Sequence, residues 1–502
     1  MEGGANHHRR VAQACDACKR RKVRCNGEQR CQQCDHLNLK CIYTPAGRRV
    51  RKNAAERGTV IESYRRSTGS AYSPTSPVSL APAPTSPTII ATPAHTPSTL
   101  PSTPSVSIHP NLSFFLDLVP AYLLCVYPVN PVVSEAEIRA CIHQIDADRD
   151  AASFVYAFAA VTINLTRTDS IQSAPDVRDQ ISALLSRSFE FRTTMVFESQ
   201  PTVLKLMGSI FIEICLMALR KFNLAFFYLR EAISMVHMLR IENVGDMAAL
   251  DLSERARRQR AYWECFIHER FSALSDYKPI CLDPLPNMPE HDPSISPAVE
   301  HGWNHIIQTF VLVDKEFVTF WIGDRSHVTP EWIERKHRQL EDDQWQMEVS
   351  ALSAMQQADL IITRQWLRTL TWQMAMSNTL LSSSPQSESL SLTLPLRLSS
   401  QLRQFLGHMS HDAISIHGSG ILSKLFEITD TIADVVIHLP QASREETLQR
   451  VDDILFLKRF IFSFPRIEVK HKQFLGQKFE KMKEVYPEMA EIDMLVNSPL
   501  ST

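Results

Sequence analysis

Cys15-Asp-Ala-Cys18-Lys-Arg-Arg-Lys-Val-Arg-Cys25, followed after five residues by Cys31-Gln-Gln-Cys34-Asp-His-Leu-Asn-Leu-Lys-Cys41, decides how the first part of this chain folds. The two halves share one internal spacing, C-x2-C-x6-C, which suggests a pseudo-symmetric pair of loops and short helices. A C-x2-C step lets two thiolates grip one metal ion from a tight turn, and tetrahedral zinc is the usual occupant. Six thiolates are too many for one zinc and too few for two separate four-coordinate ions. Two zincs need eight ligand positions, so two sulfurs must bridge. The spacing therefore implies a binuclear cluster of two zinc ions held by Cys15, Cys18, Cys25, Cys31, Cys34 and Cys41, with a net charge of about −2. A zinc knuckle that only holds a fold, or an oxidised disulfide set, is the plainer reading of six cysteines. The basic run between Cys18 and Cys25 argues against both.

Charge points the same way. The 502-residue chain carries a formal −2, but residues 1–66 hold 16 Lys and Arg against 6 Asp and Glu, while the remainder holds 37 against 49. A head of formal +10 on a body of −12 calls for a polyanionic partner for the head alone. The cluster's own charge lowers the head to about +8. The two spacers then divide the labour. Lys19, Arg20, Arg21, Lys22 and Arg24 occupy the first, whereas the second holds Asp35, His36, Leu37, Asn38, Leu39 and Lys40. Each is long enough for about two helical turns. The first presents cations to DNA; Leu37 and Leu39 of the second supply the small apolar core that the metals otherwise replace. Little aromatic interleaving, only Tyr43 and Tyr64 in the head, argues against single-stranded nucleic acid.

This spacing and basic run resemble the fungal zinc binuclear cluster transcription factors. The resemblance implies that Cys15 and Cys31 bridge the zincs. It also implies that Lys22, with Arg21 beside it, reads a CGG-type triplet in the major groove, Lys and Arg being the commonest donors to guanine. Lys19, Arg20 and Arg24 are then phosphate contacts. Arg30 stands where the family often has a proline before its fourth cysteine.

Outside the cysteine-rich domain (11–45), residues 1–10 read as a flexible tail and 46–66 as a basic linker. Arg48, Arg49, Arg51 and Lys52 there resemble a nuclear-import patch. Gly58 interrupts any helix in 46–66 and no heptad pattern appears, so no zipper is expected and homodimerisation stays open. Residues 67–110 contain 10 of the 29 prolines, 18 Ser or Thr and no Asp, Glu, Lys or Arg, which reads as a disordered linker. Its Ser-Pro and Thr-Pro steps are candidate phosphorylation sites beside the basic head.

From 111 to 485 the chain is rich in Leu, Ile, Met, Phe and Ala, with helical periods and few strand signals: a large all-α regulatory domain. Arg230, Ser234, His237 and Arg240 form one polar stripe on an otherwise apolar helix. A second helix starts at Asp251 or Ser253 and runs to about Asp276, with Trp263, Phe266, Ile267, Phe271 and Leu274 facing the core. Its Arg260, Trp263, Phe266, Glu269 and Arg270 are similar to the middle regulatory region of the same fungal factors, with Gln259 and Glu269 replacing an arginine and an aspartate. Glu269 and Arg270 read as an internal ion pair.

Several function classes fall away. There is no catalytic serine elbow, phosphate loop or dinucleotide fingerprint among only 14 glycines, so no enzyme is expected. Val203–Leu219, the most apolar stretch, carries Lys205 and Glu213, which favours a buried helix over a membrane span. Cys125, Cys141, Cys215, Cys265 and Cys281 read as buried free thiols in a reducing compartment. Ser382–Ser400 reads as a surface loop, with helix resuming at Gln401. Residues 486–502 alternate acidic and apolar residues, as in an activation segment that recruits coactivators or in a final helix docking onto the body. The expectation is a nuclear, zinc-dependent, sequence-specific regulator of RNA polymerase II transcription, pathway-specific, its body open to a small-molecule inducer. The alternative is a DNA-binding adaptor or repressor without its own activation function.

Overall fold

The computed structural model describes residues 14–15, 25–29, 31, 41–43, 111–167, 177–194, 200–323, 325–383, 387–438, 443–465, 467 and 469–486. The chain divides into two units, residues 1–103 and 104–502. The linker 67–110, the stretch 46–66 and the tail beyond Tyr486 lie outside the described residues.

Every regular element described in the second unit is helical, apart from one isolated bridge between Ser382 and Ser391. The unit begins with α1 (Leu112–Ala121), whose Pro120 cannot donate a backbone bond, and the chain loosens at once into a π turn, Tyr122–Val126. The fully buried Tyr122 hydroxyl donates to the Val133 carbonyl at 3.2 Å and so fixes this entry. α2 (Glu135–His143) starts in a reciprocal capping box between Ser134 and Glu137. α3 (Arg149–Thr166) is buried without a break from Ala151 to Leu165, the signature of a helix enclosed on all sides. Its neighbours are α4 (Val177–Phe191) and α5 (Val203–Ala218). α5 is the stretch carrying Lys205 and Glu213; Glu213 is buried and paired to His268, and no helix among the described residues is long and apolar enough to cross a membrane.

α6 (Phe222–Met238) and the short α7 (Val244–Ala248) lead to α8 (Leu252–Asp276). The polar stripe on α6 ends earlier than its spacing predicts. Arg240 lies past the helix end in left-handed backbone, φ 51°, where it pairs with Asp246. α8 keeps its expected bounds. Asp251, not Ser253, is the cap, its carboxylate accepting from the Glu254 amide at 2.9 Å. Trp263, Phe266 and Leu274 are buried, while Ile267 and Phe271 are half-buried.

The charged residues of α8 clamp the segments around it. Arg270 donates through Nη1 to Glu269 at 2.9 Å, through Nε to the Val313 carbonyl at 3.0 Å and through Nη2 to the Leu282 carbonyl at 2.6 Å. Glu269 also accepts from Arg230 Nη1 at 2.7 Å and from the Cys281 and Leu282 amides at 2.8 and 2.9 Å. One turn and more upstream, Arg260 donates to the Pro131 carbonyl at 2.7 Å and to Asp292 at 2.9 Å. Burial works against the Asp292 charge, but Ser294 and Arg260 hold its carboxyl below the ordinary range. Buried charges persist only when paired and hydrogen-bonded, as here. The expected Glu269–Arg270 pair is thus the centre of a network pinning the proline-containing segment that follows α8.

The second half continues through α9 (Pro297–Val311), α10 (Lys315–Ile322), α11 (Pro330–Leu340), α12 (Asp343–Ser350) and α13 (Ala354–Ser377). The last five helices are α14 (Leu394–Leu406), α15 (His411–Ser415), α16 (Gly418–His438), α17 (Arg444–Phe462) and α18 (Val469–Val485). α14 corrects the expected serine-rich loop: helix resumes at Leu394, not Gln401. Pro395 stands in its first turn, where its missing N–H costs nothing. Leu394 and Leu398 are buried with Trp372 and Val435. Two cysteines also depart from expectation, since Cys281 is exposed and Cys125 half-buried, while Cys141, Cys215 and Cys265 are buried; none of the five is in a disulfide. One apolar core runs from Phe115 to Tyr486.

Candidate metal centre and nucleic-acid interface

In the first unit the described cysteines, Cys15, Cys25, Cys31 and Cys41, lie outside regular helix or strand. Gly27 takes φ 77°, a left-handed conformation that a side chain would resist, and reverses the chain just after Cys25. The outcome is a tight group of sulfurs: Cys15, Cys25 and Cys31 place their Sγ atoms within 4.8 Å of one another. Cys15 Sγ and Cys31 Sγ are 3.6 Å apart. A tetrahedral zinc with Zn–S bonds of about 2.3 Å sets two of its sulfurs roughly 3.8 Å apart. The geometry therefore fits thiolates sharing an ion. Cys15 and Cys31 are fully buried and Cys25 is 4% exposed, in a unit whose described residues bury little else.

Cys41 approaches the same centre, its sulfur accepting from the Cys31 amide at 3.3 Å. Tyr43 adds a contact that the spacing argument did not assign. Its hydroxyl donates to the Glu28 carbonyl at 2.7 Å and lies 3.5 Å from Cys25 Sγ, tying the strand-like end of the domain to the Gly27 turn. An aromatic residue two places after the last cysteine, in a domain with so few apolar residues, was the available signal. Burial works to raise the Cys25 thiol, but contacts with Tyr43 and with the backbone at Cys15 and Gly27 hold it below its ordinary value. A thiol so placed is suited to ligation as thiolate. The phenol of Tyr43 is pushed above its ordinary range, chiefly by that contact with Cys25.

Of the predicted site residues, the structure brings together Cys15, Cys25, Cys31 and Cys41. Cys18 and Cys34 lie outside the described residues, as do Lys19, Arg20, Arg21, Lys22 and Arg24, and with them Arg30, Leu37 and Leu39.

Comparison with known proteins agrees with this centre. Residues 13–49 match the fungal Zn(2)-Cys(6) binuclear cluster domain, a domain that binds two zinc ions. The probable sucrose utilization protein of Candida albicans is 24% identical over 416 residues, covering 80% of this chain and 78% of that protein. The respiratory transcription factor of Saccharomyces cerevisiae is 23% identical over 46% of this chain and half of its own length. The fumonisin cluster-specific transcription factor of Gibberella moniliformis is 40% identical over 70 residues, 14% of this chain and 10% of its own. The first match is long enough that it must include much of the helical body; the third is confined to a short stretch. The second and third of these relatives are named as transcription factors, and with its zinc cluster domain the chain is a DNA-binding transcriptional regulator.

Proposed function

Given that residues 13–49 match the fungal Zn(2)-Cys(6) binuclear cluster domain, we propose that all six cysteines, Cys15, Cys18, Cys25, Cys31, Cys34 and Cys41, hold the zinc pair and that Lys22 reads a CGG-type triplet. Cys15 and Cys31 bridge the ions. Arg21 assists Lys22 at the base edges, while Lys19, Arg20 and Arg24 contact phosphates. The observation that carries this reading is the convergence of the Cys15, Cys25 and Cys31 sulfurs. In sequence the basic run of residues 19–24 lies between Cys15 and Cys25, two of those converging sulfurs. Such a module sets a helix against base edges, and a good Lys or Arg contact to guanine discriminates by about 1–3 kcal/mol.

The regulator acts in the nucleus on RNA polymerase II genes, through coactivators. Two relatives are named for sucrose utilization and for respiration, which favours genes of carbon use as the controlled set. With no zipper pattern in 46–66, homodimerisation is not required, and one triplet carries most of the specificity.

Binding of the zinc-loaded chain to duplexes with CGG or a mutated triplet tests the assignment. Lys22→Ala should flatten the preference by about ten- to a hundredfold, whereas Arg20→Ala should weaken every sequence alike and reduce the salt slope by about one. Equal losses on all sequences from both variants would remove Lys22 as the reader.

A further inference from the structure

A cavity of about 580 Å³ opens within the second unit, walled by α3, α5, α6, α8, α9, α13, α16 and α18. That is the size of small-molecule sites in general. α16 forms one wall by starting on Gly418 in left-handed backbone, φ 64°, so close to α3 that a Cβ would meet Leu165 at 2.9 Å.

Two groups of charges on the wall are paired among themselves. His268 lies between two buried carboxylates, Nδ1 at 2.8 Å from Glu213 and Nε2 at 3.2 Å from Glu264. Lys424 donates to Thr363 at 2.6 Å and to Asp359 at 3.3 Å, while the rings of Phe271, Phe310 and Trp366 stand 5.5, 5.7 and 5.9 Å from its ammonium. A charged guest would have to compete with these pairs for partners already engaged, at the desolvation cost that buried charges carry.

Hydrogen-bonding capacity is left over, and it is mostly acceptor. Glu264 is 1% exposed, and its Oε2 has no hydrogen-bond partner. Glu427 receives the Trp366 indole at 2.7 Å and a further side-chain hydrogen bond from Gln373. A carboxylate offers about four lone-pair sites, so both residues can accept more. Burial pushes each carboxyl above its ordinary range. Beside these acceptors lie the apolar ring surfaces of Phe271, Phe310 and Trp366.

We propose that this cavity is a sensor site and takes a neutral, polyhydroxylated small molecule of the sugar class. Hydroxyls supply the donor that Glu264 Oε2 lacks and can add to those on Glu427, the C–H faces of such a molecule cover aromatic rings, and neutrality leaves the His268 and Lys424 pairs intact. The guest touches helices from both halves of the body, so its binding ties α3, α5 and α8 to α13 and α16. Its role as an effector rests on the regulator reading; its binding does not.

Calorimetric titration of the full, zinc-loaded chain without DNA tests the proposal, with sucrose, maltose and glucose as probes, spermidine as a cation and citrate as an anion. At least one sugar should bind saturably and, at a hundredfold excess over its Kd, raise the body's Tm by about 2–4 °C. Gly420→Leu fills the cavity, since a Cβ there meets only the Phe271 ring at 3.6 Å and the backbone tolerates it. It should weaken sugar binding at least about tenfold. Glu427→Gln, which keeps the volume, should weaken it several-fold and decides the matter if Gly420→Leu does not fold. Binding of spermidine or citrate alone, binding of no probe, or sugar binding unchanged in the folded variants would overturn the proposal. Because the readout contains no DNA, failure of the CGG assignment leaves this result standing, and the reverse.

Discussion

Among the described residues, the cysteine-rich head buries three cysteines with Ala14, Cys41 and Tyr43 packed beside them, whereas the helical unit buries an apolar core continuous from Phe115 to Tyr486. The head cannot remove enough apolar surface from water to offset its backbone entropy, and metal–thiolate bonds take the place of a core. The body needs no such help, and its buried polar groups are spent on holding loops, as Glu269 and Arg270 do. One chain thus carries two kinds of stability that answer to different agents.

Metal removal breaks the comparison most sharply. A structural zinc of this type contributes roughly 10–16 kcal/mol of apparent binding energy at neutral pH, and for such a domain that is folding energy. Dialysis against a strong chelator should abolish duplex binding completely, measured by anisotropy, while the helical circular dichroism and thermal midpoint of the body stay where they were. Readdition of zinc should restore binding. A body that melts with the metal would show that the two units are not independent in stability.

The converse experiment acts on the body alone. Glu269 is 1% exposed and accepts from Arg270, Arg230 and the amides of Cys281 and Leu282. Glu269→Ala leaves the fully buried Arg270 without its carboxylate and orphans two backbone donors, a loss of about 3–5 kcal/mol. The urea midpoint of the body should fall accordingly. Glu269→Gln, which keeps an acceptor for the amides, should lose less. In both variants the zinc content and CGG binding of the head should be unchanged. A midpoint that does not move would mean that the segment after α8 is held by its apolar contacts instead.

What could be read in advance follows the same division. In the head the spacing of six cysteines is itself the architecture, because ligand number and tetrahedral geometry leave few solutions. In the body, α8 was legible because Asp251 marks its start and an aromatic stripe runs to Leu274, both local signals. Errors arose where a local signal is ambiguous. Pro395 reads as a breaker, yet in a first turn it starts a helix. The four-three-three spacing of the polar stripe carried it past the end of α6 to Arg240, whose φ of 51° no periodicity announces. Cys281 is exposed because it sits on the segment that Glu269 pins, a contact 12 residues away in sequence. The lining residues of the cavity were not legible at all, since its walls come from eight helices and the 128–130 turn, spread over residues 128 to 471, and no single stretch carries its pattern.

Titration offers the finest division between the units, because two body histidines limit stability from opposite sides. Burial works to lower the His268 pKa, but Glu213 and Glu264 prevail and raise it to about 10. A histidine raised in the folded state contributes stability that is full below its unfolded value near 6.5 and is lost as pH climbs from there to about 10. Its side chain is one-fifth exposed, so roughly 2–4 kcal/mol is the scale of the loss. His337 is the opposite case: burial first, then Arg368 and Arg397, lower it to about 3. Neither of its ring nitrogens has a hydrogen-bond partner. Its neutral form is favoured by folding, so its contribution is present above pH 6.5 and fades as pH falls toward 3. The body's urea midpoint, followed by helical signal across pH, should therefore decline on both sides. His268→Gln should flatten the alkaline limb and His337→Leu the acid limb, each leaving the other unchanged. An alkaline limb that survives in His268→Gln would show that Glu213 and Glu264 are held by groups other than this imidazolium, and would take from the cavity wall the charge balance on which its choice of a neutral guest depends.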